Sequence, residues 1–287
     1  MSSASQRLWR AYADGRRLIA GPGGVRAARR RAGANGDRTD LTSWNRQLAA
    51  QHASYRASVE PAAGPTTAVC VKSRPEQLDH LVKSIGRQDY DDFNVVVVTN
   101  AESFSGVDVA GAFDAVGGAH VIDGPPDQSL GSCLNAAMAA TDARFVAKFD
   151  DDDHYGAAYL SDSLRAHSYA ASGVVGKHSY YAHLTADDRT VLRFPGHDFE
   201  YSSTLAGGTL VIDRERVGDL QFRDVSLGED RGFILDCHKR GASTFAADRF
   251  NFVQHRGSDN TWRVPDHLFT RNSLEIADGL PLSSILR

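Results

Sequence analysis

Four consecutive carboxylates at residues 150–153, here called the aspartate run, form the densest cluster of reactive side chains in the sequence. They follow the apolar stretch 144–149, which predicts a buried strand, and open α/β sheets bind ligands at the carboxyl ends of their strands. Adjacent carboxylates repel one another, and a hard divalent cation with oxygen ligands removes that repulsion. The alternative is a solvated acidic turn, but the position at a strand end favours a site for Mg²⁺ or Mn²⁺.

A second acidic feature is the pair Glu229 and Asp230, which follows Gly228 at the start of a predicted helix over residues 229–240. A carboxylate held in a cleft can act as a general base. The alternative is a purely structural one, because acidic residues are favoured in the first turn of a helix by its dipole.

A third polar segment extends from Gln254 to Trp262, directly after a predicted strand at 251–253, and contains His255 and Arg256. Histidine can ligate a metal ion, and an arginine can neutralise phosphate charge. The glycine and polar residues that follow suit a loop that closes over a ligand. The alternative is an ordinary polar loop with Trp262 anchored in the core.

The elements that must position these residues alternate between strand and helix. Short apolar stretches at 68–71, 93–98, 119–122 and 144–149 predict strands, and helices are expected from Pro75 to Gly86 and over 129–140. Strands that are apolar on both faces and separated by helices indicate a mostly parallel sheet covered on both sides. Further along, we expect a helix at 158–172, a hairpin of 174–184 with 190–194, and a strand at 208–212.

Composition divides the chain into two unlike parts. Residues 1–65 contain eleven arginines and four acidic residues, although the whole chain has a net charge of −4, which gives no reason to expect a nucleic-acid partner. A basic arm with a short amphipathic face could contact a membrane surface peripherally, or simply pack on the main domain. With three cysteines, no signal-peptide pattern and no stretch near the ~20 apolar residues of a membrane span, we expect a cytoplasmic protein.

Taken in order, these segments resemble the GT-A-fold, family-2-like nucleotide-sugar glycosyltransferases over about residues 66–262. That family has a polar turn after its first strand, a polar residue after the second, an Asp-x-Asp motif, a Gly-Gly strand, an acidic pair and a late His or Arg. The matching positions here are Lys72-Ser73-Arg74, Asn100, Asp150-Asp151-Asp152, Gly207-Gly208, Glu229-Asp230 and His255.

The resemblance implies an α/β fold of the GT-A type, in which a Rossmann-like nucleotide-binding half with a mostly parallel central sheet is fused to a mixed acceptor-binding half. It also implies three regions: a basic N-terminal extension over 1–65, the glycosyltransferase domain over 66–262, and a C-terminal tail over 263–287.

The resemblance further implies roles for individual residues. Asp152 and His255 would hold the metal, Asp153 would support that site, and Asp230 would be the catalytic base, with Glu229 as the alternative. The residues implied to bind the donor are Ser73, Arg74, Asn100, Asn135, Asp150, Asp151, Gly208 and Arg256.

The activity so implied is an inverting, metal-dependent transfer of a sugar, from a nucleoside diphosphate donor and most readily a UDP-sugar, to an acceptor hydroxyl in glycan or glycoconjugate synthesis. The acceptor is left open among a glycan, a lipid-linked molecule and a small molecule. The chain lacks the Gln-x-x-Arg-Trp segment of processive synthases, which favours single transfers.

Three other functions compete with this one: a sugar-nucleotide nucleotidyltransferase, a catalytically silent GT-A-like binding module, and a metal-dependent phosphate-ester hydrolase. The segment from Lys72 to Pro75 has no glycine, which argues against the Gly-rich phosphate loop of the nucleotidyltransferases. An intact aspartate run and acidic pair argue against the silent module.

Overall fold

The computed structural model describes residues 52–72, 74–257, 260 and 264–286. Most of the basic arm, together with Ser73 and Trp262, lies outside the described residues, so the predictions made for them stay predictions. No helix among the described residues is long and apolar enough to cross a membrane.

Thirteen strands are present in the described part of the chain. In chain order they are β1 Thr66–Lys72, β2 Phe93–Thr99, β3 His120–Asp123, β4 Phe145–Phe149, β5 His154–Tyr155, β6 Val174–Gly176, β7 Tyr180–Leu184, β8 Arg189–Arg193, β9 Glu200–Tyr201, β10 Val211–Asp213, β11 Thr244–Ala246, β12 Phe252–Arg256 and β13 Ser273–Asp278.

Helices connect many of the strands, and residues 52–56, which precede β1, also form a helical turn. The labelled helices are α1 Leu78–Gly86, α2 Val109–Ala112, α3 Leu130–Ala139, α4 Tyr159–Tyr169, α5 Arg214–Val217, α6 Glu229–Lys239, α7 Asp266–Phe269 and α8 Leu282–Ile285.

The larger sheet has the order β3-β2-β1-β4-β10-β6-β11-β9. Strands β1 to β4 are parallel, whereas β10 is antiparallel to both of its neighbours. Val95 and Val97 belong to one apolar cluster and Val96 and Val98 to another, because alternate side chains of a strand point to opposite faces. The sheet is therefore buried on both faces, as its continuous apolar strands predict.

The smaller sheet has the order β13-β8-β7-β12-β5. Strands β7 and β8 form the antiparallel hairpin predicted around residues 187–188, and β12 is parallel to β7. The larger, mostly parallel sheet and the smaller, mixed sheet, together with the helices between their strands, confirm the predicted α/β class.

Two predicted strands differ from the structure. The stretch 174–184 is not one strand: β6 lies in the larger sheet and β7 in the smaller, and between them Lys177 turns inward to the Asp248 carboxylate at 3.3 Å. The stretch 208–212 begins with a 3-10 turn over Gly207–Thr209 before β10, in which the Thr209 N–H donates to the Ala206 carbonyl at 3.0 Å.

Residues on both sides of the predicted domain 66–262 pack against it. On the N-terminal side, His52, Tyr55 and Val59 are buried. On the C-terminal side, β13 pairs with β8 and Ile285 is fully buried, so the described residues of the predicted tail are part of the fold.

Candidate active site

The carboxyl ends of the parallel strands bring the aspartate run together with the ends of β1 and β2. The run follows β4, Lys72 is the last residue of β1, and Asn100 follows β2 and donates its backbone N–H to the Lys72 carbonyl. The predicted position of the acidic cluster at this edge of the sheet therefore agrees with the structure.

Two buried lysines compensate part of the negative charge of the run. The Lys72 ammonium, fully buried, donates to Asp151 Oδ2 at 2.9 Å. Lys148 lies 3.0 Å from Asp150 Oδ1 and 3.6 Å from Glu229 Oε1. Burial by itself would lower the pKa of Lys148, but these carboxylates raise it above its ordinary value, so the ammonium stays charged.

Lys72 matches the polar turn expected after the first strand, but the sequence did not predict that either lysine pairs with the aspartate run. The available signal was a lysine inside an apolar stretch: Lys148 occupies a strand whose residues are all buried. A buried lysine needs a carboxylate partner, and here the partners are the neighbouring candidate site residues.

Asp152, unlike Asp150 and Asp151, has no ion pair with a buried lysine among the described residues. Its Oδ2 accepts from the Asn260 amide at 3.1 Å and lies 3.6 Å from the Arg74 guanidinium. Burial, together with Asp150 and Asp151, raises the pKa of Asp152 to about 7. A carboxyl group in this environment favours an added cation.

Asp153 is buried and connects the aspartate run to β12. It is 3% exposed, and its Oδ1 accepts a hydrogen bond from the His255 backbone N–H at 2.8 Å. Burial, followed by the charges of Asp152 and Asp150, raises its pKa well above the ordinary value. The contact ties β12, and with it His255, to the aspartate run.

A pair of glycines separates the run from the second acidic pair. A Cβ added to Gly208 would lie 2.8 Å from carboxylate oxygens of both Asp150 and Asp153, and one added to Gly207 would lie 1.9 Å from Asp230 Oδ2. The Tyr155 hydroxyl accepts from the Asp150 N–H and donates to the Gly208 carbonyl. Only glycines permit this close approach, so the run and Asp230 flank the same two residues.

The two acidic residues of α6 lie in different surroundings. The Glu229 side chain is 6% exposed and is directed to Lys148, and burial raises its pKa. Asp230 is half-buried beside Gly207, and its Oδ1 accepts from the Arg231 N–H. Of the two carboxylates, Asp230 has the more open position.

Two residues expected to bind the donor have other partners. Both ends of the Asn135 amide are hydrogen bonded to the backbone of Phe222 at 2.8 Å, so this side chain holds the segment that leads to α6.

Arg256 is the second of these residues that has other partners. It is a buried residue of β12, not of a loop; it donates to the Val264 carbonyl, and its guanidinium carbon lies 5.0 Å from the centre of the Phe269 ring. Neighbouring residues of a strand point to opposite faces, so Arg256 is directed at the C-terminal segment while its neighbour His255 is linked to the run.

A cleft of about 490 Å³ opens beside Asn100 at the ends of β2 and β3. Its lining includes Thr99, Asp123 and the segment from Phe104 to Ala110. The Asn100 Oδ1 atom is buried without a hydrogen-bond partner within the described part of the chain. The volume of the cleft, with the Asp123 carboxylate in its lining, suits a small polar ligand.

The residues present fit a divalent cation that is shared with a phosphate ligand. Asp152 belongs to no compact cluster of three protein ligands in the described ranges. Mg²⁺ and similar cations are commonly held by one or two carboxylates together with substrate phosphates. Asp152, with His255 on the adjoining strand, would supply such a partial ligand set.

Comparison with known proteins agrees with the fold. No curated protein sequence gives a significant match to this chain. Among solved structures, the mannosyltransferase PcManGT from Pyrobaculum calidifontis, in complex with GDP-Man and Mn²⁺, is 15% identical with a TM-score of 0.53, over 78% of this chain and 68% of that one. S. aureus TarS 1-349 in complex with UDP-GlcNAc is 16% identical with a TM-score of 0.56, over 72% of this chain and 64% of that one.

At these identities the likeness shows a shared GT-A fold. The sequence itself carries the assignment further, because residues 66–218, more than half of the chain, match the family described as Glycosyl transferase family 2. The chain therefore belongs to glycosyl transferase family 2 and is a glycosyltransferase.

Proposed function

We propose that the protein is an inverting, metal-dependent glycosyltransferase that moves a sugar from a nucleoside diphosphate to an acceptor hydroxyl. One observation carries the proposal: the aspartate run and Asp230 approach the adjacent glycines Gly208 and Gly207 closely enough to exclude any side chain there. The aspartate run, which would bind the cation, and Asp230, which would be the base, thus lie on either side of one narrow site.

On the donor side, Asp152 and His255 would hold the cation, and Arg74, 3.6 Å from Asp152, adds positive charge beside it. When bound, a divalent cation neutralises the charge that develops on the departing diphosphate. The cleft at the ends of β2 and β3, lined by Thr99 and Asp123, would take the nucleoside.

On the acceptor side, Asp230 would remove the proton from the attacking hydroxyl. The acceptor oxygen bonds to the anomeric carbon as the bond from that carbon to the diphosphate oxygen breaks, and the bonding pair leaves with the diphosphate. A single base facing the opposite side of the sugar from the leaving group gives direct displacement, which inverts the anomeric centre.

The choice of nucleotide is the first point to test. PcManGT was solved with GDP-Man and TarS with UDP-GlcNAc, which makes both nucleotides candidates; we propose a UDP-sugar. The acceptor would be a glycan, a lipid-linked molecule or a small molecule.

Thermal-shift measurements with UDP, GDP, TDP and CDP, each with Mn²⁺ and with EDTA, test the proposal. We expect one nucleotide to raise the melting temperature only when the metal is present, and Asp152→Asn to lose that shift. Folded wild-type protein that none of these nucleotides stabilises would contradict the proposed donor site.

A further inference from the structure

One histidine from outside the two sheets contacts the aspartate run and has no part in the proposed function. His80 lies in α1, is half-buried, and has its Nε2 atom 2.8 Å from the Asp153 carbonyl oxygen. A carbonyl oxygen only accepts hydrogen bonds, so His80 donates through its Nε2–H. This histidine therefore holds the backbone of the residue that directly follows Asp152.

The same side chain also contacts the next residue along the chain. The rings of His80 and His154 meet edge to face, with their centres 4.8 Å apart and an interplanar angle of 85°. Aromatic rings favour this arrangement. His154 begins β5 and pairs with Val253 of β12, so His80 supports the point at which the chain leaves the run and enters the smaller sheet.

Helix α1 is itself fixed along this part of the chain. Two residues beyond its end, the Gln88 amide donates to the Gly156 carbonyl at 2.9 Å and accepts from the Leu160 N–H at 3.0 Å. His80 and Gln88 thus connect α1 and its end to residues 153–160 at two places. A hydrogen-bond donor on α1 consequently has a defined position relative to the aspartate run.

Asp153 is held on two sides as a result. Its carbonyl accepts from His80, and its carboxylate accepts from the His255 N–H of β12 at 2.8 Å. Asp152, the candidate cation ligand, is the residue immediately before it. Because both the backbone and the side chain of Asp153 are fixed, the direction in which the Asp152 side chain leaves the backbone is restricted as well.

This support is needed because the carboxylates of the run repel one another. Buried lysines pair with Asp150 and Asp151, whereas neither Asp152 nor Asp153 has an ion pair with a lysine in the part of the chain that the structure describes. Burial, followed by the charge of Asp152, raises the pKa of Asp153 well above its ordinary value. Fixed backbone contacts counter the tendency of these two residues to move apart.

From these contacts we infer that His80 is a positioning residue for the cation site: it holds the Asp153 backbone so that the Asp152 carboxylate is directed at the cation. His80 is not itself a ligand in this account, because its Nε2–H is used by the Asp153 carbonyl. The inference rests on the proposed function, since it takes Asp152 to bind the cation. Residues that orient metal ligands typically contribute about 10–100-fold to metal affinity.

Isothermal titration of the full chain with Mn²⁺, in the presence of UDP, tests the inference with two variants that differ by one methylene group. In His80→Gln the amide nitrogen takes the place of Nε2 and can still donate to Asp153, so most of the wild-type affinity for Mn²⁺ should remain. In His80→Asn the amide is too short to reach the carbonyl, and we expect Mn²⁺ to bind at least about tenfold more weakly.

The melting temperatures of the metal-free variants separate positioning from stability. Both variants lose the ring contact with His154, so a purely structural role would lower both melting temperatures and leave Mn²⁺ affinity unchanged. His120→Asn, at an exposed histidine of β3, is the control and should bind Mn²⁺ as the wild type does.

Two results would overturn the inference while the proposed function stands: wild-type Mn²⁺ affinity in folded His80→Asn, or an equal loss of affinity in His80→Gln and His80→Asn. Folded wild-type protein that binds no Mn²⁺ would contradict the proposed cation site itself, and the inference with it.

Discussion

Glu229 and Asp230 are neighbours on α6, yet only one of them has the surroundings expected of a catalytic base. Glu229 is directed to the buried Lys148, whereas Asp230 lies half-buried against Gly207. We predict that Asp230→Asn lowers the rate of sugar transfer by about 10²–10⁴-fold, the usual contribution of a general base, while nucleotide affinity is retained. Initial rates of diphosphate release measure the effect.

Glu229→Gln is the matched control for this prediction. It should change stability more than rate, since Glu229 pairs with Lys148 at 3.6 Å. A larger loss of rate in Glu229→Gln than in Asp230→Asn would mean that Glu229, and not Asp230, is the catalytic base.

Asp152 makes metal binding sensitive to pH near neutrality. Its pKa is raised from 3.8 to about 7 by burial and by Asp150 and Asp151. A proton therefore competes with the cation below pH 7, and we predict that Mn²⁺ affinity rises as pH increases from 5 to about 7 and then levels off. Titrations of the nucleotide-bound protein with Mn²⁺ at several pH values measure it.

The raised pKa of Asp152 has the opposite consequence for the stability of the metal-free protein, which falls as the pH rises. Between the two pKa values the folded state holds more protons than the unfolded chain, so the contribution of Asp152 to stability falls as pH rises from about 4 to 7. In Asp152→Asn both trends should be reduced; an Mn²⁺ affinity that does not vary from pH 5 to 8 in the wild type would contradict this account.

At the scale of elements, the end of β4 and the start of α6 are joined through Lys148. Its ammonium lies 3.0 Å from Asp150 and 3.6 Å from Glu229, and it is 4% exposed. We predict that Lys148→Met lowers the free energy of unfolding by about 3 kcal/mol, because it leaves two carboxylates facing each other without a cation. Urea unfolding at pH 7 measures the change.

A second substitution isolates this cause. Adding Glu229→Gln to Lys148→Met should restore part of the lost stability, which strictly additive effects would not do. Lys83→Met, at an exposed lysine of α1, should stay within about 0.5 kcal/mol of the wild type. An equally small effect of Lys148→Met would contradict the pairing.

The sequence predicted these elements well where periodicity alone decides them. Strands β1, β2 and β4 are apolar on both faces, and α1, within the predicted helix, buries Leu78, Leu81 and Ile85. It also predicted that the aspartate run, the glycines and the acidic pair would belong together, and the structure brings them together, although their roles stay predictions.

The errors concern side chains whose direction depends on distant parts of the chain. Arg256 was expected in a loop, but β12 extends through it and directs it at Val264 and Phe269. The Asn135 amide is used by the Phe222 backbone, 87 residues away in sequence. Spacing along the chain contains no information about such partners.

At the scale of the whole molecule, the C-terminal segment completes the smaller sheet. Strand β13 pairs with β8, and the Ile285 carbonyl accepts from the Asn251 N–H. Ile285 is fully buried in an apolar cluster with Tyr181, Leu192 and Val253.

We predict that Ile285→Ala lowers the free energy of unfolding by about 2–4 kcal/mol, because it removes a packed side chain and leaves a cavity. Leu268→Ala, at a residue that is 52% exposed, is the control and should change stability little. Chemical denaturation of both variants measures the difference; equal stabilities would mean that the C-terminal segment does not pack as described.

The central claim is that this molecule transfers a sugar with inversion, and the anomeric configuration of its first product tests that claim most directly. The protein would be incubated with Mn²⁺ and an α-linked sugar of the nucleotide that stabilises it, with water as the acceptor where no other is known. Proton NMR would then record the released sugar before its anomers equilibrate. We predict release of the nucleoside diphosphate together with the β-anomer, and loss of both with EDTA or in Asp230→Asn. An α-anomer formed first, or turnover unaffected by EDTA and by Asp230→Asn, would contradict the account.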